Sequence, residues 1–294
     1  MGSIDSEHKE IESQATRKNN FLSPKDFSKR VDFWEKIYES EQNDLNRFYS
    51  LDMIERKDAV FKLLNKHRRQ PPYKILDVGC GPGVFLRDAA SLGHQVIGVD
   101  GAEAMVRKAE ENLRKQGLTR ARVFQADIEN LPFPDNSFDI VLCIGVLSYL
   151  SSDDEALKEI RRVVRKNGMV ILGLPNQLRL AQLFDPIYYL HFVTYIKKKR
   201  RRDRKGTRST VSIDNFRRYL FWQLPGLFMP FGLSILDIIP VGFGPLTIWL
   251  KEFLDESLSL KLRQFLIGQS AKSKLCILKV FANHWVICLK KDPL

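Results

Sequence analysis

The residues best suited to chemistry lie in one short run, Ile75-Leu-Asp-Val-Gly-Cys-Gly-Pro-Gly83. An apolar strand carries Asp77 near its end, and the chain then turns through Gly79, Gly81 and Gly83. Glycines there let the backbone turn tightly and approach a ligand with no Cβ in the way. The ligand would meet the N-terminus of the next helix at the carboxyl edge of a sheet. Asp100 lies 21 residues beyond Gly79 and closes a second apolar run. A carboxylate placed there can accept hydrogen bonds from both hydroxyls of a ribose. Asp127, followed by Ile128, comes after a third apolar run. A glycine loop with a distal acid also describes a dinucleotide site, and a glycine loop alone can be a plain strand–helix turn. The dinucleotide fingerprint GxGxxG would put its third glycine at Val84, whereas this chain reads GxGxG. Asp77 is also a poor neighbour for a pyrophosphate, but it suits an ammonium group.

Alternating strands and helices are needed to bring these residues to one edge. Strands are expected at 74–78, 95–99, 121–125, 138–144 and 168–174, with helices near 83–91, 102–116 and 153–166. The strands are runs of Val, Ile and Leu, as a parallel sheet covered on both faces requires. The alternation implies right-handed crossovers and an α/β, Rossmann-like doubly wound sheet. Segments 233–239 and 284–289 read as two more strands, which makes seven. The last is expected inside the sheet beside the fifth, as the one antiparallel member, with 233–239 at the edge. A helical insertion at about 247–268 separates these two. Ahead of the sheet, residues 1–20 read as a polar, disordered tail. A helical cap is expected over 21–70, opened by Ser23 as N-cap and Pro24 at the first helical position. Phe33, Trp34, Ile37 and Tyr38 recur at helical spacing, and a second helix is expected over 53–66.

Three segments, ILDVGCGPG at 75–83, VIGVD at 96–100 and QADIENLPFPDNSFDIV at 125–141, occur in order at the right spacing. Together they resemble the class I S-adenosylmethionine (SAM)-dependent methyltransferases of the UbiE/UbiG-like, type 11 kind. The resemblance covers about 73–175 and implies a methyltransferase domain over 71–294 with SAM as cofactor. It implies that Gly79 and Gly81 pack against the methionine part and that Asp77 anchors the amino group. Asp100 would hold the ribose, while Asp127 and Ile128 would hold the adenine. Ile144 and Gly145 would wall the methyl group. In the cap, Tyr38 and Arg56 could close over the cofactor carboxylate. SAM carries no pyrophosphate, so it needs room and hydrogen bonds more than a phosphate cradle.

Methyl transfer from a sulfonium is an in-line displacement, so the protein mainly holds the acceptor in line and within reach. A base is needed only if the acceptor must lose a proton. Tyr149, after the fourth strand, and His191 are the protonatable candidates; His191 lies among aromatics and reads first as a packed or interfacial residue. No metal-ligand cluster, NPPY-like tetrapeptide or pair of reactive cysteines is present. The second half points to a hydrophobic acceptor, with oxygen as the first guess for the methylated atom. An apolar, aromatic insertion at about 178–230, including Trp222 and Phe228, is expected to cover that acceptor. Pro175-Asn176 and Gly242-Phe-Gly-Pro245 loosely resemble family members that act on lipid-like or polyketide-like molecules.

The stretch 219–250 is long enough to span a membrane, but Pro225, Pro230, Pro240 and several glycines argue for an interfacial or covering lid instead. The formal net charge is +12, and the run 197–205 holds eight basic residues and one acid. Facing anionic lipid headgroups, each cation would add roughly 1 kcal/mol. A solvated loop is the plain alternative. An RNA or protein methyltransferase would use the same run to track phosphates, although no RNA-binding module flanks the core; a non-catalytic SAM-binding protein is a third reading. Four unpaired-looking cysteines and an N-terminus without an apolar h-region suit a cytoplasmic protein, peripheral at a membrane.

Overall fold

The computed structural model describes residues 24–39, 47–67, 72–180, 185–186, 217–248, 251–252, 254–272 and 277–292. The expected tail at 1–20, His191, the basic run 197–205 and most of the 178–230 insertion lie outside the described residues.

Seven strands form one sheet. They are β1 (Lys74–Val78), β2 (Gln95–Asp100), β3 (Ala121–Gln125), β4 (Phe138–Ile144), β5 (Val164–Pro175), β6 (Leu233–Val241) and β9 (His284–Lys291). Their order is β3-β2-β1-β4-β5-β9-β6. All pairs among the first five are parallel, while β9 runs antiparallel between β5 and β6. The expected place of the last strand beside the fifth, the edge position of β6 and the single antiparallel strand are therefore all found.

Successive side chains of each strand point to opposite faces, so the apolar runs feed two cores. Leu76, Val78, Val141, Cys143, Val170 and Leu172 pack on one side with Leu157 and Ile160 of α6 (Asp154–Val163). Ile75, Ile140, Leu142 and Ile171 pack on the other. There they meet Val60 and Leu63 of α3 (Arg47–Lys66), Phe85 and Leu86 of α4 (Val84–Ser91), and Ala109 of α5 (Glu103–Lys115). Two shorter helices, α1 (Pro24–Ser28) and α2 (Val31–Glu39), complete the cap. Lys108 on α5 ties α2 down through Glu35 at 2.9 Å.

Some boundaries differ from the sequence expectation. The fifth strand begins at Val164, not 168, and α6 stops at Val163 instead of running to 166. Val164 pairs with Phe138, the register then slips before Ile140 meets Met169, and Asn167 takes a positive φ of 60° at this irregularity. Val164, β-branched, is held extended there by its pairing with Phe138. The cap helix α3 starts at Arg47, before the expected 53. The expected helix at 247–268 is displaced. A two-stranded hairpin, β7 (Thr247–Ile248) with β8 (Lys251–Glu252), comes first, and α8 covers Glu256–Lys272.

The stretch 219–250 is not one span: it holds α7 (Leu224–Phe228), short 3-10 turns and β6. Among the described residues no helix is long and apolar enough to cross a membrane. Phe228, expected over the acceptor, is fully buried in the core that contains α6. Trp222, by contrast, is 61% exposed.

Candidate cofactor and acceptor site

Because β1, β2 and β4 are parallel, their carboxyl ends open on one cleft. The turn after β1 is held by the neighbouring strand: the amides of Gly79 and Cys80 both donate to Val99 O, at 2.7 and 3.0 Å. Gly79 has φ +70°, and a Cβ on it would lie 2.2 Å from Val146 Cγ2. No other residue fits there. Gly81 has φ +53° with nothing within 4 Å of its Cβ position. The backbone there faces open space, as an approach surface for a ligand should.

Asp100 clamps this turn. Its Oδ2 accepts from Gly81 N and its Oδ1 from Ala102 N, both at 2.9 Å. Burial raises its pKa even against these two stabilising bonds. Asp77 is 1% exposed, and its Oδ2 has no hydrogen-bond partner among the described residues. Burial first, then the charge of Asp100, pushes the Asp77 carboxyl up to about 8. A buried carboxylate without a partner is costly, so the site either keeps a proton or receives a cation.

Asp127 is exposed, with Oδ1 accepting from Glu129 N at 3.0 Å, and Ile128 is buried beside it. Ile144 ends β4, and Gly145 follows with φ +76°. Arg56 reaches over from α3: its Nη1 lies 3.0 Å from the Cβ position of Gly145. Tyr149 sits on the 3-10 turn Leu147–Tyr149, its ring edge-on to Phe27 of α1 at 5.0 Å. The backbone of Tyr38 lies on α2; its side chain is outside the described residues. Asn176 has a structural task, donating through Nδ2 to the carbonyls of Leu178, Val280 and Ala282.

A profile described as "Methyltransferase domain" matches residues 76–172. The chain belongs to the class I SAM-dependent methyltransferase family. An uncharacterised protein of Methanocaldococcus jannaschii is 30% identical over 172 residues, 56% of this chain and 70% of its own length. A ubiquinone biosynthesis O-methyltransferase of Rickettsia prowazekii is 25% identical, over 58% of this chain and 68% of its own. Other curated relatives are matched over only 29% to 49% of their length. One of these is a malonyl-[acyl-carrier protein] O-methyltransferase of Legionella pneumophila, 31% identical over 52% of this chain. Among solved structures, magnesium protoporphyrin IX methyltransferase of Synechocystis, with bound SAH (S-adenosylhomocysteine), superposes with a TM-score of 0.58 at 16% identity. That alignment covers 90% of this chain and 95% of the other, and it shows a shared fold.

Several polar groups of this chain went unnoticed in the sequence. Arg217 donates to Asp153 Oδ1 and to Leu147 O, and Tyr219 Oη donates to the same Asp153 oxygen at 2.9 Å. This buried cluster fastens 217–219 to the turn that follows β4. A second cluster joins the cap to the C-terminal part. Arg263 of α8 reaches Asp52 Oδ1 at 2.6 Å and Glu55 Oε1 at 2.8 Å, and Asn283 Nδ2 donates to Asp52 Oδ2 at 3.0 Å. Burial outweighs these partners, and the Asp52 carboxyl is pushed up to about 6. His284 Nε2 lies 3.8 Å from Asp52 Oδ2. Such partners are over 200 residues apart, and no local pattern announces them. The cysteines at 80, 143 and 288 are free and buried, as expected; Cys276 is outside the described residues.

Proposed function

We propose that the protein transfers a methyl group from SAM to an oxygen of a hydrophobic small molecule. The observation that carries the cofactor half is Asp77 Oδ2, buried without a partner beside the open turn at Gly81. An ammonium group provides both the missing hydrogen bond and the compensating charge. Asp77 would hold the amino group of SAM, and Arg56 its carboxylate. Asp100 would take the ribose hydroxyls, since each of its oxygens has accepted only one backbone bond and retains capacity. Asp127 and Ile128 would take the adenine, with Gly79, Gly81, Ile144 and Gly145 as the walls. When bound, SAM supplies an electrophilic methyl on a sulfonium. The protein's own task is then to align the acceptor and exclude water.

The choice of oxygen is supported by the two relatives named as O-methyltransferases. The test is to incubate small-molecule extracts with isotope-labelled SAM and identify labelled products by mass spectrometry. A labelled apolar ether or ester supports the reading. Label confined to RNA or protein overturns it and favours a macromolecular acceptor.

A peripheral site at the cytoplasmic face of a membrane is favoured by one further observation. Trp222 and Met229 are 61% and 69% exposed on the stretch that follows the basic run. Vesicles with phosphatidylserine should retain the protein, and those of phosphatidylcholine alone should not. Neutralising 197–205 or adding salt should weaken retention as screening sets in. Retention of RNA in place of vesicles, lost in the neutralised variant, would overturn this.

A further inference from the structure

The loop that leaves β6 and the helix α8 do not close completely on each other. Between them lies a narrow recess with about 210 Å³ of unfilled space, lined by Leu180, Phe243, Pro245, Leu254, Leu262 and Leu266. Val241, the last residue of β6, pairs with His284 at the start of β9, and His284 pairs with Pro175 at the end of β5. Phe243 and Leu180 follow these strand ends closely, so the recess belongs to the same carboxyl edge as the cofactor cleft. Along that edge, β6 lies three strand spacings from β4, about 14 Å. Both walls hang on the same two carboxylates. On the loop side, Gly242 N donates to Glu55 Oε2 at 3.0 Å, and Asn283 Nδ2 donates to Gly244 O at 2.8 Å and to Asp52 Oδ2 at 3.0 Å. On the α8 side, Arg263 donates to Asp52 and Glu55. The spacing of the walls is therefore set, and neither can simply collapse onto the other.

The α8 wall carries the one polar side chain of the recess, Ser259. It shares the inner face of the helix with Leu262 and Leu266, three and seven positions on. Ser259 is 5% exposed, and its Oγ has no hydrogen-bond partner among the described residues. A serine within a helix can bond back to a carbonyl of the preceding turn. Ser270 on the same helix does so, its Oγ donating to Ile267 O at 2.8 Å. Ser259 does not. A buried hydroxyl without a partner is costly, and this one borders unfilled space. Water answers it poorly, because an ordered water needs two or more polar partners and every other side chain lining the recess is apolar.

The volume decides how much of a ligand fits. Sites that hold a whole drug-sized molecule start at about 300 Å³, so this recess takes one end of a molecule and not all of it. Its narrowness admits a chain more readily than a ring, and its walls ask for an apolar one. We infer that the recess between 243–246 and α8 is a subsite for an aliphatic chain that bears a hydroxyl or carbonyl oxygen, with that oxygen bonded to the Ser259 hydroxyl. This deepens the methyl-transfer reading and rests on it. The chain is the far portion of an elongated acceptor whose reacting oxygen lies over β4. Ser259 touches the acceptor and not the reacting atoms, so its part is to select and position.

The test uses the full chain with labelled leucine methyls, titrated with 1-butanol, 1-pentanol and 1-hexanol, with and without SAH, while NMR follows Leu262 and Leu266. Both signals should shift. Affinity should rise about fourfold per added methylene, the effect of burying one CH2. Ser259→Ala should weaken 1-hexanol about threefold to tenfold, the scale of one hydrogen bond, and leave 1-chlorohexane unchanged. Because that variant loses no bond within the protein, its urea midpoint should stay level or rise. Leu262→Trp, which fills the recess, should abolish binding of both probes with SAH affinity retained. Leucine signals unmoved by every alcohol overturn the inference, as does an affinity that ignores chain length. So does a Ser259→Ala variant that treats the two hexyl probes alike or loses stability, since the hydroxyl would then serve the fold. Failure of SAH itself to bind instead overturns the methyl-transfer reading, because the alcohols can be titrated without it.

Discussion

The protonation of Asp77 makes cofactor affinity depend on pH in a way that can be worked out. With its carboxyl pushed up to about 8, the empty site holds a proton at neutral pH. A bound ammonium group favours the carboxylate, so binding releases that proton. The penalty grows by about 1.4 kcal/mol, or tenfold in affinity, per pH unit below the raised value. SAH should therefore bind up to ~10-fold more weakly at pH 7 than at alkaline pH, and up to ~100-fold more weakly at pH 6. Calorimetry at several pH values gives the slope. Repeating it in two buffers of different ionisation enthalpy counts the released proton directly. Asp77→Asn mimics the protonated acid, so the variant should bind weakly with the slope abolished. A wild-type affinity that is flat from pH 6 to 8, or a variant with the same slope, would refute the reasoning.

The same residue should make the empty protein less stable as pH rises. Its folded pKa lies above the ordinary value of 3.8, so the folded state binds the extra proton. Stability is then full near pH 4 and is lost as pH climbs through 8, with Asp52 acting in the same direction through about 6. Urea unfolding across this range, with and without SAH, measures both the loss and its relief; stability rising toward pH 8 without SAH would contradict it. Asp100→Ala should cost SAH binding about 1.5–3 kcal/mol, the scale of hydrogen bonds to a charged group, and unchanged affinity by calorimetry would count against the ribose role. Arg263→Ala strips the charge partner from buried Asp52 and should lower stability by about 3–5 kcal/mol, with a loss under ~1 kcal/mol by urea unfolding showing that the cluster is dispensable. Phe228→Ala should destabilise by about 3–5 kcal/mol with SAH affinity retained, whereas exposed Trp222→Ala should leave stability within about 0.5 kcal/mol.

The cofactor half of the cleft was legible because its physics is local. Gly79 needs a positive φ and has no room for a Cβ, and Asp100 must reach back to the Gly81 amide. Both demands leave fixed residue types at short spacings. The strands themselves were legible for a related reason: uninterrupted apolar runs mark strands buried on both faces. The fifth strand's early start was not legible, because Val163 and Val164 suit a helix face and a strand alike until Phe138 is there to pair. Phe228 was misread as an acceptor cover because apolar character signals burial without saying against what. His284 passed as one more strand residue. Its neighbour Asp52 lies 232 positions earlier, an approach that only the folded chain displays.

The position of β9 also bears on how the protein can be made. This strand is interior, hydrogen-bonded to β5 on one side and β6 on the other, yet it follows both in the chain. Until residues as far as Lys291 have been synthesised, β5 and β6 each present a bare edge, and a slot one strand wide stays open between them. Unpaired edges of that kind invite pairing with other chains. The sheet is therefore a product of late insertion and not of stepwise accretion. A nascent chain stalled before Ala282 should be a client for chaperones, however complete its cofactor cleft.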